Sequence, residues 1–179
     1  MFQKKTMAEL ERLSAEEALQ AGKQPIILIL DDVRSMHNVG SVFRTADAFG
    51  IAAIYLSGYT PRPPHRDIHK TALGAEDTVA WQGFDNIRQA IHAASEGGYM
   101  LVAVEQCHGS APLPAFRPAP GQKLALVFGN EVLGVSDEAL AAAVHCLEIP
   151  QSGAKHSLNI SVSVGVVLWE LVRGSVRHL

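Results

Sequence analysis

The stretch Ile149-Pro-Gln-Ser-Gly-Ala-Lys-His-Ser-Leu-Asn-Ile-Ser-Val-Ser-Val164 crowds a glycine, a cation, a histidine, hydroxyls and an amide between apolar flanks. Short polar side chains in an apolar setting need partners, because each one buried unpaired costs about 1–3 kcal/mol. A bound ligand is one such partner, and backbone capping is the other. From Leu158 to Val166 apolar and polar residues alternate strictly, which is the period of a strand. Ser157, Ser161 and Gly165 are also four apart, a small-residue stripe suited to close helix packing. The length of the run through Arg173 favours a helix, and a helix is the reading adopted here.

Outward from that stretch, strands and helices alternate. Pro25-Ile-Ile-Leu-Ile-Leu30, Ala52-Ala-Ile-Tyr-Leu56, Tyr99-Met-Leu-Val-Ala-Val104, Leu124-Ala-Leu-Val-Phe128 and Cys146-Leu-Glu-Ile149 are short apolar runs. Such runs form strands buried on both faces. Asn38 to Phe49 carries Val39, Val42, Phe43, Ala46 and Phe49 at helical spacing before a Gly50 stop. Asp85–Ser95 and Asp137–Val144 predict further helices. Gly58 to His69 reads as a loop, Thr78-Val-Ala-Trp81 as a strand, and residues 109–121 as a proline-rich connection. Residues 6–20 predict an amphipathic helix, ended by Gly22 and Pro25. The expected organisation is a helical extension over 1–24 and one α/β domain over 25–179, a mostly parallel sheet flanked by helices.

Composition narrows the function classes. With 179 residues, 47% hydrophobic and 18% charged, the chain has the make-up of an ordinary globular protein. A net charge of −3 gives no global basic signature, so nucleic-acid contact must come from a local patch. The two cysteines, Cys107 and Cys146, form no CxxC pair, which points away from zinc and disulfide frameworks and toward a reducing cytoplasm. No apolar run reaches the roughly 20 residues of a membrane span, and the N-terminus lacks a signal-peptide core. His65 and His69 stand four apart but lack a third ligand, so no metal site is expected. Neither a phosphate-loop nor a dinucleotide glycine fingerprint occurs.

Parallel sheets bind ligands beyond the carboxyl ends of their strands. Three polar clusters occupy that position: Asp31-Asp-Val-Arg-Ser-Met-His-Asn38, Gly129-Asn-Glu-Val-Leu-Gly134 and the stretch quoted first. Any one of them suits an ordinary loop; three at one sheet edge favour a ligand site.

The three clusters match a family. Asn38-Val-Gly40-Ser-Val-Phe-Arg44-Thr-Ala46-Asp-Ala-Phe-Gly50 resembles the first motif of the SpoU (TrmH-like) RNA 2′-O-ribose methyltransferases. Phe128-Gly-Asn-Glu131-Val-Leu-Gly134 resembles the second, and Ile149-Pro150, Gly153 and Ser157-Leu-Asn159-Ile-Ser161-Val162 the third. Order and spacing agree over about residues 25–173; Gln151 stands where methionine is frequent.

The resemblance implies a SPOUT fold, with the C-terminal part threaded into a deep trefoil knot that forms an S-adenosylmethionine pocket, and it implies a homodimer. It places Gly129, Ile149 and Leu158, with Val104 and Glu105, around the cofactor. It makes Arg44 catalytic, surrounded by Asn38, Glu131, Ser157 and Asn159. Arginine is a poor base, so Arg44 is expected to hold phosphate or a developing alkoxide, oriented by Glu131. RNA, either tRNA or rRNA, is expected on Arg34, Arg62, Arg66, Lys70 and Lys155. The competing readings are a catalytically inactive knotted RNA-binding protein and a small-molecule enzyme on an ordinary doubly wound fold.

Overall fold

A computed structural model describes residues 2–6, 14–154 and 157–174. Seven strands form one sheet: β1 (Gln24–Asp31), β2 (Ile51–Ser57), β3 (Trp81–Phe84), β4 (Met100–Val104), β5 (Ala111–Pro112), β6 (Leu124–Phe128) and β7 (His145–Glu148). Their spatial order is β3-β2-β1-β6-β4-β7-β5, and every strand pairing is parallel. The helices are α1 (Ala15–Gln20), α2 (Met36–Ala48), α3 (Arg66–Ala72), α4 (Ala75–Thr78), α5 (Ile87–Glu96), α6 (Asp137–Ala142) and α7 (Ile160–Val172).

Strand periodicity divides the core into two layers. Ile26, Leu28 and Leu30 of β1, with Leu124, Leu126 and Phe128 of β6, pack under α2, α3 and α7. Ile27, Ile29, Ala125 and Val127 point the other way, toward Ile87, Ala90 and Ala94 of α5 and Ala139 of α6. The near-continuous apolar runs of β1 and β6 are therefore the signature of a sheet covered on both sides.

The chain first builds outward from β1 to β3, then crosses to β4 and slots β6 between β1 and β4. At this reversal of direction the strand ends diverge and leave room for a ligand.

Local chemistry corrects several expectations. The segment read as a loop over 58–69 ends in α3, because the His65 side chain accepts the Asp67 N–H at 3.1 Å and caps the helix. Of the strand expected over Thr78–Trp81, Thr78 closes a helical turn instead, and β3 starts only at Trp81. The proline-rich connection contains β5 and a 3-10 turn at Leu113–Ala115. Of the helix expected over 6–20, α1 is described, held by a Ser14/Glu17 capping box; residues 7–13 lie outside the described residues.

α2 lies close on α3. A Cβ at Gly40 would stand 2.2 Å from both the Ile68 carbonyl oxygen and the Thr71 hydroxyl, while that hydroxyl donates to the His37 carbonyl at 3.0 Å. Gly40→Val therefore forces the helices apart. An overpacking cost of about 1–3 kcal/mol predicts a fall in Tm of roughly 3–10 °C, measured by circular dichroism. An unchanged melt would contradict this packing.

Candidate active site

Beyond the carboxyl ends of β4, β6 and β7 lies a cavity of about 720 Å³, within the roughly 300–1,000 Å³ typical of small-molecule sites. Val104 and Glu105 line it from β4, Phe128 and Gly129 from β6, Ile149 from β7, and Ser157, Leu158 and Asn159 from the approach to α7. All five residues expected around the cofactor thus share one cavity.

Its rim is built from carboxylates that accept backbone amides. Glu131 accepts the Arg34 and Ser35 N–H groups, each at 3.0 Å, and the Asn38 side-chain amide at 2.9 Å. The Asn38 side-chain oxygen in turn accepts from the Asn159 side-chain amide at 3.1 Å, and Asn159 caps α7. Glu105 accepts the N–H groups of Gln106 and Val135 at 2.8 and 3.0 Å. Burial, the largest single influence on Glu131, opposes its ionisation. The bonds from Arg34, Asn38 and Ser35 outweigh it and hold the carboxyl below its ordinary value.

Asn38, Glu131 and Asn159 are therefore one connected unit, as the motifs suggested. Arg44 is not part of it. It sits nearly two turns along α2 from Asn38 and is exposed. It does not line the cavity and makes no hydrogen bond or ion pair with another described residue. Within one chain Glu131 does not orient Arg44 as expected; its carboxylate accepts instead from the start of α2.

Gly129 also has a reason other than the one expected. A Cβ there would lie 2.0–2.1 Å from the Gly134–Val135 peptide, so the turn itself requires the missing side chain, while the residue also lines the cavity. Gly165 is not forced by close packing either, since its nearest neighbour would be the Thr45 methyl at 3.9 Å.

Among the cationic residues, Arg34 lies over the ring of Tyr59. Arg62 donates to the Phe84 carbonyl at 2.8 Å and packs against Gly83. Lys70 is paired with Asp67, and Arg66 is exposed at the start of α3. Lys155 lies outside the described residues. His69 is paired with Glu76.

Three residues of the quoted polar clusters, Asp31, Asp32 and Asn130, had no role assigned from sequence. Asn130 donates to the Asp32 carbonyl at 2.8 Å, and its own side-chain oxygen accepts the Val132 and Leu133 N–H groups. Buried Asp31 accepts the Ser136 N–H at 3.0 Å, and Asp32 accepts that of Tyr59. Asn after glycine was the available signal, since its side chain commonly closes such turns. Cys107 at the cavity and Cys146 are free thiols with sulfurs 2.8 Å apart. Burial first, and then the neighbouring thiol, push Cys146 up to about 12.

A family model described as the SpoU rRNA Methylase family matches residues 25–169. The 23S rRNA (guanosine-2′-O-)-methyltransferase RlmB of Vibrio cholerae is 31% identical over 94% of this chain and 67% of its own length. The tRNA (guanosine(18)-2′-O)-methyltransferase of Thermus thermophilus is 29% identical over 94% of this chain and 85% of its own. Among solved structures, an AdoMet-bound rRNA methyltransferase from Sinorhizobium meliloti superposes with a TM-score of 0.80 at 27% identity, covering 89% of this chain and 61% of that one. The chain thus spans about two thirds of the Vibrio relative and less of the Sinorhizobium protein.

Glu131→Gln presents an amide where the rim supplies only donors. At this exposed position the loss is about 1 kcal/mol, with faster amide exchange at Arg34 and Ser35. Because the folded carboxyl titrates below its ordinary 4.5, the stability difference from wild type is full above that pH. It disappears as pH falls through the lower folded value. Denaturation as a function of pH checks this, and a pH-independent difference would count against the network.

Proposed function

This chain belongs to the SpoU rRNA Methylase family, and on that premise we propose that it is an S-adenosylmethionine-dependent RNA 2′-O-ribose methyltransferase acting on tRNA or rRNA. The observation that carries the reading is the cavity at the ends of β4, β6 and β7, with the Glu131–Asn38–Asn159 unit at its rim. The cavity suits the cofactor chemically. Phe128, Leu147, Ile149 and Leu158 offer apolar surface for a purine, and the Glu105 and Asp137 side chains supply negative charge near a sulfonium. When bound, S-adenosylmethionine supplies an electrophilic methyl group. Val104, Glu105, Gly129, Ile149 and Leu158 hold it, while Ser157 and Asn159, on the same wall, hold the nucleotide.

The knot belongs to this proposal: the chain after β7 passes through the site to reach α7. So does the dimer. α7 buries Ile160, Val164, Val167 and Leu168, yet leaves Val162, Val166 and Trp169 exposed. Together with Leu158 these form an apolar stripe of a kind that marks protein interfaces, and a second copy of this chain is its occupant. Arg44 precedes Thr45, whose methyl is the neighbour of Gly165 in α7, so it flanks the stripe. Dimerisation brings it to the partner protomer's surface, where its permanent charge binds the RNA phosphate and steadies the developing alkoxide. The sequence reading of a soluble cytoplasmic enzyme is kept as part of the proposal; no described helix is long and apolar enough to cross a membrane. The remaining cations, Arg34, Arg66 and Lys155, are proposed RNA contacts.

Arg44→Ala should lower methyl transfer to RNA at least about 100-fold while calorimetry shows cofactor affinity within a few fold. Undiminished turnover would remove Arg44 from the mechanism, and absence of cofactor binding by wild type would remove the activity itself. Trp169→Glu should convert a sedimenting dimer into monomer; a wild type that is already monomeric rules out the stripe as an interface.

A further inference from the structure

One exposed aromatic, beyond the end of β2 and outside the cavity lining, is unexplained by the core or by the Glu131–Asn38–Asn159 unit. Tyr59 follows β2 and is 74% exposed. The Arg34 guanidinium lies over its ring, 4.4 Å from the centroid. A reversal after a strand needs only small polar residues or glycine, and an aromatic there costs solvation without filling the core.

The surrounding backbone nevertheless fixes Tyr59 from several sides. Asp32 and Gly58 both adopt positive φ, 55° and 61°. A side chain at Gly58 would collide with the Asp32 carboxylate, whose Oδ1 accepts the Tyr59 N–H at 2.8 Å. The next residue, Thr60, is buried; its hydroxyl donates to the Leu30 carbonyl and accepts the Val33 N–H, each at 3.1 Å. A non-glycine residue at positive φ is strained and persists only where its surroundings hold it, and such positions cluster at ligand sites.

Both members of the pair are wired to the turn that lines the cavity. Tyr59 connects through Asp32 to the Asn130 side chain, and Arg34 connects through its N–H to Glu131. Asn130 and Glu131 line the cavity themselves. With one ring face covered by the guanidinium and three quarters of the residue exposed, the other face is open to solvent.

Unpaired RNA bases are recognised by stacking on tyrosine rings and guanidinium planes, a contact that every base can make. We propose that Tyr59, backed by Arg34, is the platform on which a nucleobase of the RNA stacks beside the cavity, positioning the neighbouring ribose. This rests on the RNA methyltransferase reading above. Tyr59 is a positioning residue: it acts on how the RNA is held and not on the methyl group. The platform also gives an acidic protein a grip on RNA that does not depend on net positive charge.

The test compares wild type, Tyr59→Ala and Tyr59→Phe. Transfer of a labelled methyl group from S-adenosylmethionine is measured into total RNA from source cells lacking this protein. Tyr59→Ala should raise the apparent KM for RNA about tenfold or more. Its kcat and its calorimetric cofactor affinity should stay within about twofold. Tyr59→Phe, which keeps the ring, should restore the wild-type KM. An unchanged KM in Tyr59→Ala beside an active wild type overturns the platform and leaves the methyltransferase reading standing. A changed sedimentation coefficient in Tyr59→Ala assigns the residue to a protein interface and also overturns it. A wild type that transfers no methyl group to RNA ends the methyltransferase reading, and the platform falls with it.

Discussion

The Glu131 carboxylate joins the turn after β6 to the start of α2 and, through Asn38, to the cap of α7. It is borne by the turn after β6 and accepts two backbone amides from the approach to α2, together with the Asn38 side chain. Those amides stand at the start of a helix, where N–H groups lack intrahelical partners and the helix dipole favours negative charge. Asn38 passes the connection on to Asn159, the cap of α7. The wall formed by residues 157–160 is thereby tied to the sheet edge opposite it by side chains, not merely by the chain that leads into it.

The same device recurs around the cavity. Glu105, at the end of β4, accepts the Val135 N–H and occupies the space where Gly134 would carry a side chain. Asp31 accepts the Ser136 N–H, and Asp32 accepts that of Tyr59. In each case an acidic residue near a strand end is spent on an amide in a neighbouring turn. Net charge is therefore a poor guide to the exposed surface: several of the acidic residues are turned inward on backbone dipoles.

The architecture was legible where the sequence is one-dimensional in its logic. Runs such as 25–30 and 124–128 give buried parallel strands because both faces of each strand are covered, and the helical spacing of Val39, Val42, Phe43 and Ala46 shows which side of α2 meets the sheet. Val104, Glu105, Gly129, Ile149 and Leu158 were named from the family motifs, and the structure places all five on one cavity. What escaped depends on encounters between distant segments. His65 starts α3 through one local side-chain bond that composition does not reveal. Glu131 serves α2's amides and leaves Arg44 unattached, and Gly129 is demanded by a peptide five residues on. Motif matching brought Asn38, Glu131 and Asn159 together as the structure does, but did not reveal the contacts that hold them.

α7 shows why one pattern can carry two meanings. In a helix each residue advances about 100°, so residues two apart lie about 200° apart around the axis. Strict alternation across 158–166 therefore paints two nearly opposite faces, with small residues at Ser161, Ser163 and Gly165 between them. The structure has both: Ile160 and Val164 turn inward, Val162 and Val166 outward. A strand of the same sequence would place all its apolar residues on one face and its serines on the other. The alternation thus encodes a helix with two apolar sides. Because Leu158 belongs both to the outer stripe and to the cavity wall, whatever covers that stripe also lies against one side of the cavity.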